Sequence, residues 1–138
     1  MDLSIRTDTF GQDDQSWIIQ CTPSTNKGIT LDKSAFTLAT HYPNGYLLSG
    51  IALGVITATG LYAPYVTAAV DGTGVLAGFL YAAVPIRSTA NVDPGGALMR
   101  AGVVNETKLL AIVANGATGG GFIDTTGKAD VVGNIFFD

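Results

Sequence analysis

His41 and Cys21 are each the only residue of their type in the chain, and that scarcity bounds the chemistry available. A tetrahedral zinc site would need at least two carboxylates to complete it, so no metal centre is expected. Cys21 stands beside Ile18 and Ile19 and reads as a small, partly buried apolar residue, with no partner for an internal disulfide. A Ser-His-Asp arrangement could use only His41, which lies among Thr40, Tyr42 and Pro43 with no G-x-S-x-G elbow nearby. Paired carboxylates exist at Asp13-Asp14. The other candidates, Asp71, Asp93, Glu106, Asp124 and Asp130, stand where turns and helix caps ordinarily place acids. Gly72-Thr73-Gly74 has its next glycine at Gly78, the wrong spacing for a dinucleotide loop, and Gly119-Gly120-Gly121 lacks the Lys-Ser/Thr of a phosphate loop. Asn105-Glu106-Thr107 matches the short glycosylation pattern, with nothing else to suggest secretion. The expectation is a protein without an active site, metal or cofactor.

The elements that would carry these residues follow from composition. At 138 residues the chain fits one domain. Hydrophobic residues make up 47% and charged residues 13%, which excludes an intrinsically disordered chain. Its 18 glycines, set among Thr, Val and Ala, point to short strands joined by tight turns. With 7 basic against 11 acidic residues and a net charge of −4, the chain lacks the footprint of a nucleic-acid binder. No charged residue falls between His41 and Asp71, and residues 42–70 are long enough for a membrane-inserted protein to be the rival reading. Gly50, Gly54, Gly60 and Pro64 instead divide that stretch into strand-length pieces, and basic anchors are missing from its flanks. Met1-Asp2-Leu3 does not begin a secretory signal. No membrane or nucleic-acid partner is expected.

Residues 1–44 read as an N-terminal arm and residues 45–138 as a β-rich body. Met1 to Gln15 carry five charges and few large apolar groups. Ser16 to Cys21 and Gly28 to Asp32 are β-prone runs around a polar turn, with Ser34 to Leu38 as a further strand. Tyr42 to Tyr46 is a turn. Strands are expected over Ile51–Thr59, over Leu61–Val70 with Pro64 at an edge or bend, over Val75–Val84 as a central strand, and over Ala97–Val104 after a loop at Asn91–Gly96. The Leu61–Val70 and Val75–Val84 runs read as antiparallel neighbours. Asn105 should cap a short helix over Glu106–Val113, Asn115–Gly121 should turn tightly, and Val131–Phe137 should close the fold with Ile135 and Phe137 on one face. The arm's strands either pair with another protein's sheet edge, with Trp17, Ile19, Ile29 and Leu31 filling pockets, or fold back on their own body.

From Gly45-Tyr46-Leu47-Leu48-Ser49-Gly50-Ile51-Ala52-Leu53-Gly54 through Thr57-Ala58-Thr59-Gly60-Leu61-Tyr62-Ala63-Pro64-Tyr65, the sequence resembles the head decoration proteins of tailed phages, of the lambda type. Asp71-Gly72, Gly78, Ala97-Leu98, Arg100 to Asn105, Lys108 and Leu109 extend the likeness over roughly residues 28–113. The resemblance implies a non-enzymatic capsid-stabilising protein on the outside of the virion. It implies a mainly β fold with one or two short helices, a β-tulip or barrel-like body and an extended arm. It further implies a homotrimer at threefold and quasi-threefold sites of the expanded head, whose arm adds a strand to the major capsid protein. On that footing Trp17, Ile18, Ile19, Ile29 and Leu31 are expected to grip the capsid, and Tyr62, Pro64 and Tyr65 to meet the capsid or the other subunits. The chain is longer than the compact family type, and residues 1–40 and 116–138 match least.

Overall fold

The computed structural model describes residues 13–86 and 92–138. The expected arm before Asp13 and the start of the Asn91 loop lie outside the described residues. Among the described residues ten short strands carry the fold, as the glycine and β-branched content anticipates: β1 (Ile18–Cys21), β2 (Lys27–Thr30), β3 (Tyr46–Leu47), β4 (Ala52–Val55), β5 (Tyr62–Pro64), β6 (Gly78–Leu80), β7 (Val84–Pro85), β8 (Gly95–Met99), β9 (Gly102–Val104) and β10 (Ile135–Phe137). Three short α-helices join them among the described residues: α1 (Leu38–His41), α2 (Glu106–Ile112) and α3 (Thr125–Asp130).

The main sheet has the order β2-β8-β6-β4-β5, every pair antiparallel. Its central strands are buried on both faces. Along β4, β6 and β8, Ala52, Phe79 and Met99 enter one core while Leu53, Leu80 and Leu98 enter the other. Strict alternation across a pleated sheet distributes a continuous apolar run between two cores in this way. The first core is completed by the sheet β1-β9-β10 and by α2 and α3, through Val104, Ile135, Leu109 and Val131. The second is completed by Ile29, Leu31, Phe36, Leu47 and Val113. The outer strands β2 and β5 approach each other at a single parallel bridge, Leu31 with Tyr62, where the Asp32 amide donates to the Tyr62 carbonyl at 2.8 Å. Beyond it they diverge, so the expected barrel-like body is a curled sheet and no closed barrel forms among the described residues.

Several local expectations are corrected. Ser34 to Leu38 forms a 3-10 turn and the start of α1, because the Asp32 carboxylate accepts from the amide and hydroxyl of Ser34 and turns the chain. The Leu61–Val70 and Val75–Val84 runs shorten to β5 and β6 and are not neighbours, since β4 lies between them. Ala97–Val104 divides at Arg100-Ala101 into β8 and β9, which belong to different sheets, and β8 takes in Gly95 and Gly96 of the expected loop. Pro64 does sit on an outer strand, where its missing N–H costs no ladder bond. Asn105 caps α2 by accepting from the Lys108 amide at 3.1 Å, and β10 turns Ile135 inward while Phe136 is exposed. No helix among the described residues is long and apolar enough to cross a membrane, and residues 42–70 are distributed over β3, β4 and β5.

Candidate functional site

The residues expected to grip a partner fall in two groups, and the strands determine which. Trp17 is fully buried. Its indole ring packs 5.7 Å from Phe79, its Nε1–H donates to Ser49 Oγ at 2.9 Å, and Ser49 in turn donates to the Tyr81 carbonyl at 2.8 Å. The Trp17 carbonyl accepts from the Asn105 amide at 2.7 Å, just before β1 pairs with β9. Ile29 and Leu31 are buried in the second core, and Ile18 packs partly against the first. Of this group, Ile19 remains open, 51% exposed at the point where the β1 register shifts between Ile18 and Gln20. A bulge re-aims one side chain away from the sheet's buried face.

Tyr62, Pro64 and Tyr65 are all buried. Tyr62 shares the second core with Leu31, and Tyr65 shares the first with Trp17. The Tyr65 hydroxyl donates to Asp124 Oδ1 at 2.9 Å, Thr67 bonds the other carboxylate oxygen, and the Gly127 amide reaches Oδ1 at 2.8 Å, capping α3. Partial burial pushes the Asp124 carboxyl up, but these donors outweigh it and bring it below the usual carboxylate range. Burial, with the nearby carboxylate, raises the Tyr65 phenol.

Sequence reading missed the apolar residues that do face outward. Leu38, Val66, Val70, Val75, Val132 and Phe136 are all exposed. Phe136 is in register with Val103 and Val103 with Gln20, so these three share the outer face of the three-stranded sheet beside Ile19. The one available signal was alternation: Phe136 lies between inward Ile135 and Phe137.

The chemical candidates resolve into structural roles. His41 is fully buried; its Nδ1 accepts from the Thr37 amide at 2.8 Å and its Nε2–H donates to the Gly120 carbonyl at 2.9 Å. The ring therefore ties α1 to the Gly119–Gly121 turn, and burial depresses its pKa. Asp71 accepts from the amide and hydroxyl of Thr73 and organises a turn. Among the described residues no group of His, Cys, Asp and Glu could hold a metal ion, and no buried polar side-chain atom is without a hydrogen bond. Among the described residues an open cleft of about 510 Å³ lies between β2 and β5, and another concavity of about 240 Å³ is bordered by Asp13, Asp14, Tyr46 and Ser49. In the smaller one the Ser49 hydroxyl is engaged by the Trp17 indole and the Tyr81 carbonyl, not by Asp13 or Asp14.

The described surface offers exposed apolar side chains and the outer strands β1, β2, β5 and β10. No curated protein and no solved structure matches the chain in the comparisons made. The family model for bacteriophage lambda head decoration protein D matches residues 25–118. That span covers well over half of the 138 residues, and the chain belongs to this family of structural proteins associated with the phage capsid.

Proposed function

We propose that the protein binds the outer surface of the expanded phage head as a homotrimer at threefold and quasi-threefold sites, and braces the shell against the pressure of packaged DNA. The observation that carries this reading is the family match over residues 25–118. The mechanism is linkage. A protein that binds only the expanded lattice adds its binding free energy to that state and opposes both rupture and collapse. A trimer offers threefold symmetry to a threefold site, and three attachments at high effective concentration raise avidity roughly 100-fold or more over one. The net charge of −4 gives no attraction to the genome, in keeping with an external position.

The attachment itself is a strand donated to the major capsid protein. Trp17, Ile29 and Leu31 are core residues of this chain. We therefore assign strand addition to the segment that precedes Trp17, continued by the outer strand β1 with Ile18 at its start and Ile19 projecting. The arm and body are then divided near Trp17 instead of at residue 44. Contacts to neighbouring subunits or to the capsid fall on the surface around Tyr62, Pro64 and Tyr65, where exposed Val66 follows Tyr65 directly.

The test is co-sedimentation of purified protein with empty expanded heads, after sedimentation of the protein alone. Three copies per particle and saturable uptake are expected. A variant lacking residues 1–12 should keep its far-ultraviolet circular dichroism and its trimer yet fail to add to heads. Full uptake by that variant would remove the arm from the mechanism. Deletion through residue 31 is not the test, because it removes Trp17, β1 and β2 from the fold.

A further inference from the structure

Three places in the described chain set an Asn or Asp directly before a glycine: Asn44-Gly45, Asp71-Gly72 and Asn115-Gly116. Glycine is the one follower without a Cβ to shield its amide nitrogen, so each pair could cyclise: the nitrogen attacks the side-chain carbonyl carbon. The structure treats the three differently. In the Tyr42–Gly45 turn the Gly45 amide donates to the Tyr42 carbonyl at 3.2 Å, which engages the nucleophile. Asp71 directs Oδ1 at the amide and hydroxyl of Thr73, at 3.0 and 2.6 Å. Those bonds hold it ionised, and a carboxylate is a poor electrophile.

Asn115-Gly116 has neither protection. The turn is closed one residue later, by the Ala117 amide donating to the Ala114 carbonyl at 2.9 Å, with Gly116 at φ 82° as the second central residue of a type II turn. Among the described residues nothing accepts from the Gly116 amide or bonds the Asn115 side chain, and both residues are exposed. A Cβ at Gly116 would meet nothing within 4 Å, so the site is open to water.

We propose that Asn115 is a site of spontaneous deamidation, with a lifetime set by this turn. The Gly116 nitrogen loses its proton to solvent base and forms a bond to Asn115 Cγ; the Cγ–Nδ2 bond breaks and ammonia departs with a proton from water. The resulting five-membered imide is opened by a second water at either carbonyl. The product is aspartate or its β-linked isomer, one negative charge added and no oxidant involved. The β-linked product lengthens the backbone just before the Gly119–Gly121 turn, where the Gly120 carbonyl accepts from His41 and the Gly121 carbonyl from the Ala52 amide. The covalent change at the surface thus reaches His41, whose ring packs on Phe36 of the second core, and Ala52 of the first.

The experiment ages the full-length protein in mildly alkaline buffer and follows each Asn-Gly peptide by mass spectrometry, with enzymatic methylation to report the β-linked isomer. Conversion at Asn115 should be at least about tenfold faster than at Asn44, since the Gly45 amide must first be freed by local opening. Protein aged in denaturant should convert both at similar rates, and Asn115→Gln should abolish the early charge variant. Equal rates at the two sites in native protein, or conversion led by Asn44, would overturn the proposal. So would an Asn115 that stays intact in native protein while converting in denaturant.

Discussion

Replacement of Trp17 by alanine tests whether the chain ahead of β2 is structural. Trp17 is completely enclosed by the first core, its ring rests on Phe79, and its Nε1–H supplies the donor that Ser49 Oγ accepts. Truncating a buried aromatic side chain to alanine costs about 3–5 kcal/mol in transfer and cavity terms. The lost indole hydrogen bond adds about 1 kcal/mol. The sum, about 4–6 kcal/mol, is a large part of the roughly 5–15 kcal/mol that holds a domain together. Trp17→Phe keeps most of the ring and loses the hydrogen bond, for about 1–2 kcal/mol. The assay is urea unfolding followed by far-ultraviolet circular dichroism, since the chain has 1 tryptophan and fluorescence disappears with it. With a slope of about 2 kcal/mol/M, the alanine variant should unfold roughly 2–3 M earlier in urea. A loss under about 1 kcal/mol would refute the assignment of Trp17 to the body and return that residue to the arm expected over residues 1–44.

Other variants probe the ties between elements. His41 is held neutral by burial, with a folded pKa below the ordinary 6.5. The unfolded chain therefore binds the proton more readily, so stability should be complete above that value and decline as pH falls from it toward the folded pKa, a dependence that His41→Gln should abolish in thermal melts across that range. Asp124→Ala removes the α3 cap and the acceptor for the Tyr65 hydroxyl, and should cost about 2–4 kcal/mol by urea unfolding, with Tyr65→Phe less costly in the Asp124→Ala background than in the parent. Gly72→Ala should lower the melting temperature sharply, because φ is 109° and a Cβ would stand 2.3 Å from the Val55 carbonyl oxygen, whereas Gly60→Ala, with open space around it, should bear only the cost of its positive φ.

Much of the fold is legible in the residues themselves. Alternation predicts the inward pair Ile135 and Phe137, an Asn followed by an acid predicts α2 and its cap, and Pro64 predicts an outer strand. What escapes depends on distance along the chain. Nothing local to Ser16–Cys21 reveals that β1 pairs with β9, since an apolar strand carries the same pattern whether its complement is its own chain or another. The same ambiguity made Trp17, Ile29 and Leu31 read as a grip on a partner. α3 escaped because Gly127 interrupts a run otherwise marked only by the Asp124 cap, and glycine lowers helix propensity. In α3 that glycine is wanted for space, since a Cβ there would stand 3.2 Å from the Tyr65 ring. The outward valines of residues 66–75 escaped because the expected strands Leu61–Val70 and Val75–Val84 take them in, whereas β5 ends at Pro64 and β6 begins at Gly78.

The point where Leu31 meets Tyr62 makes the main sheet a scroll pinned at one spot. A scroll of this kind resists bending across its strands, yet it has a natural tear line. Pulling the two outer strands, β2 and β5, apart loads that one pin before either strand's ladder is stressed, so yielding should begin there and leave the central strands intact. The Asp32 amide, which closes the pin, is the proton whose exchange with solvent would announce that first slip.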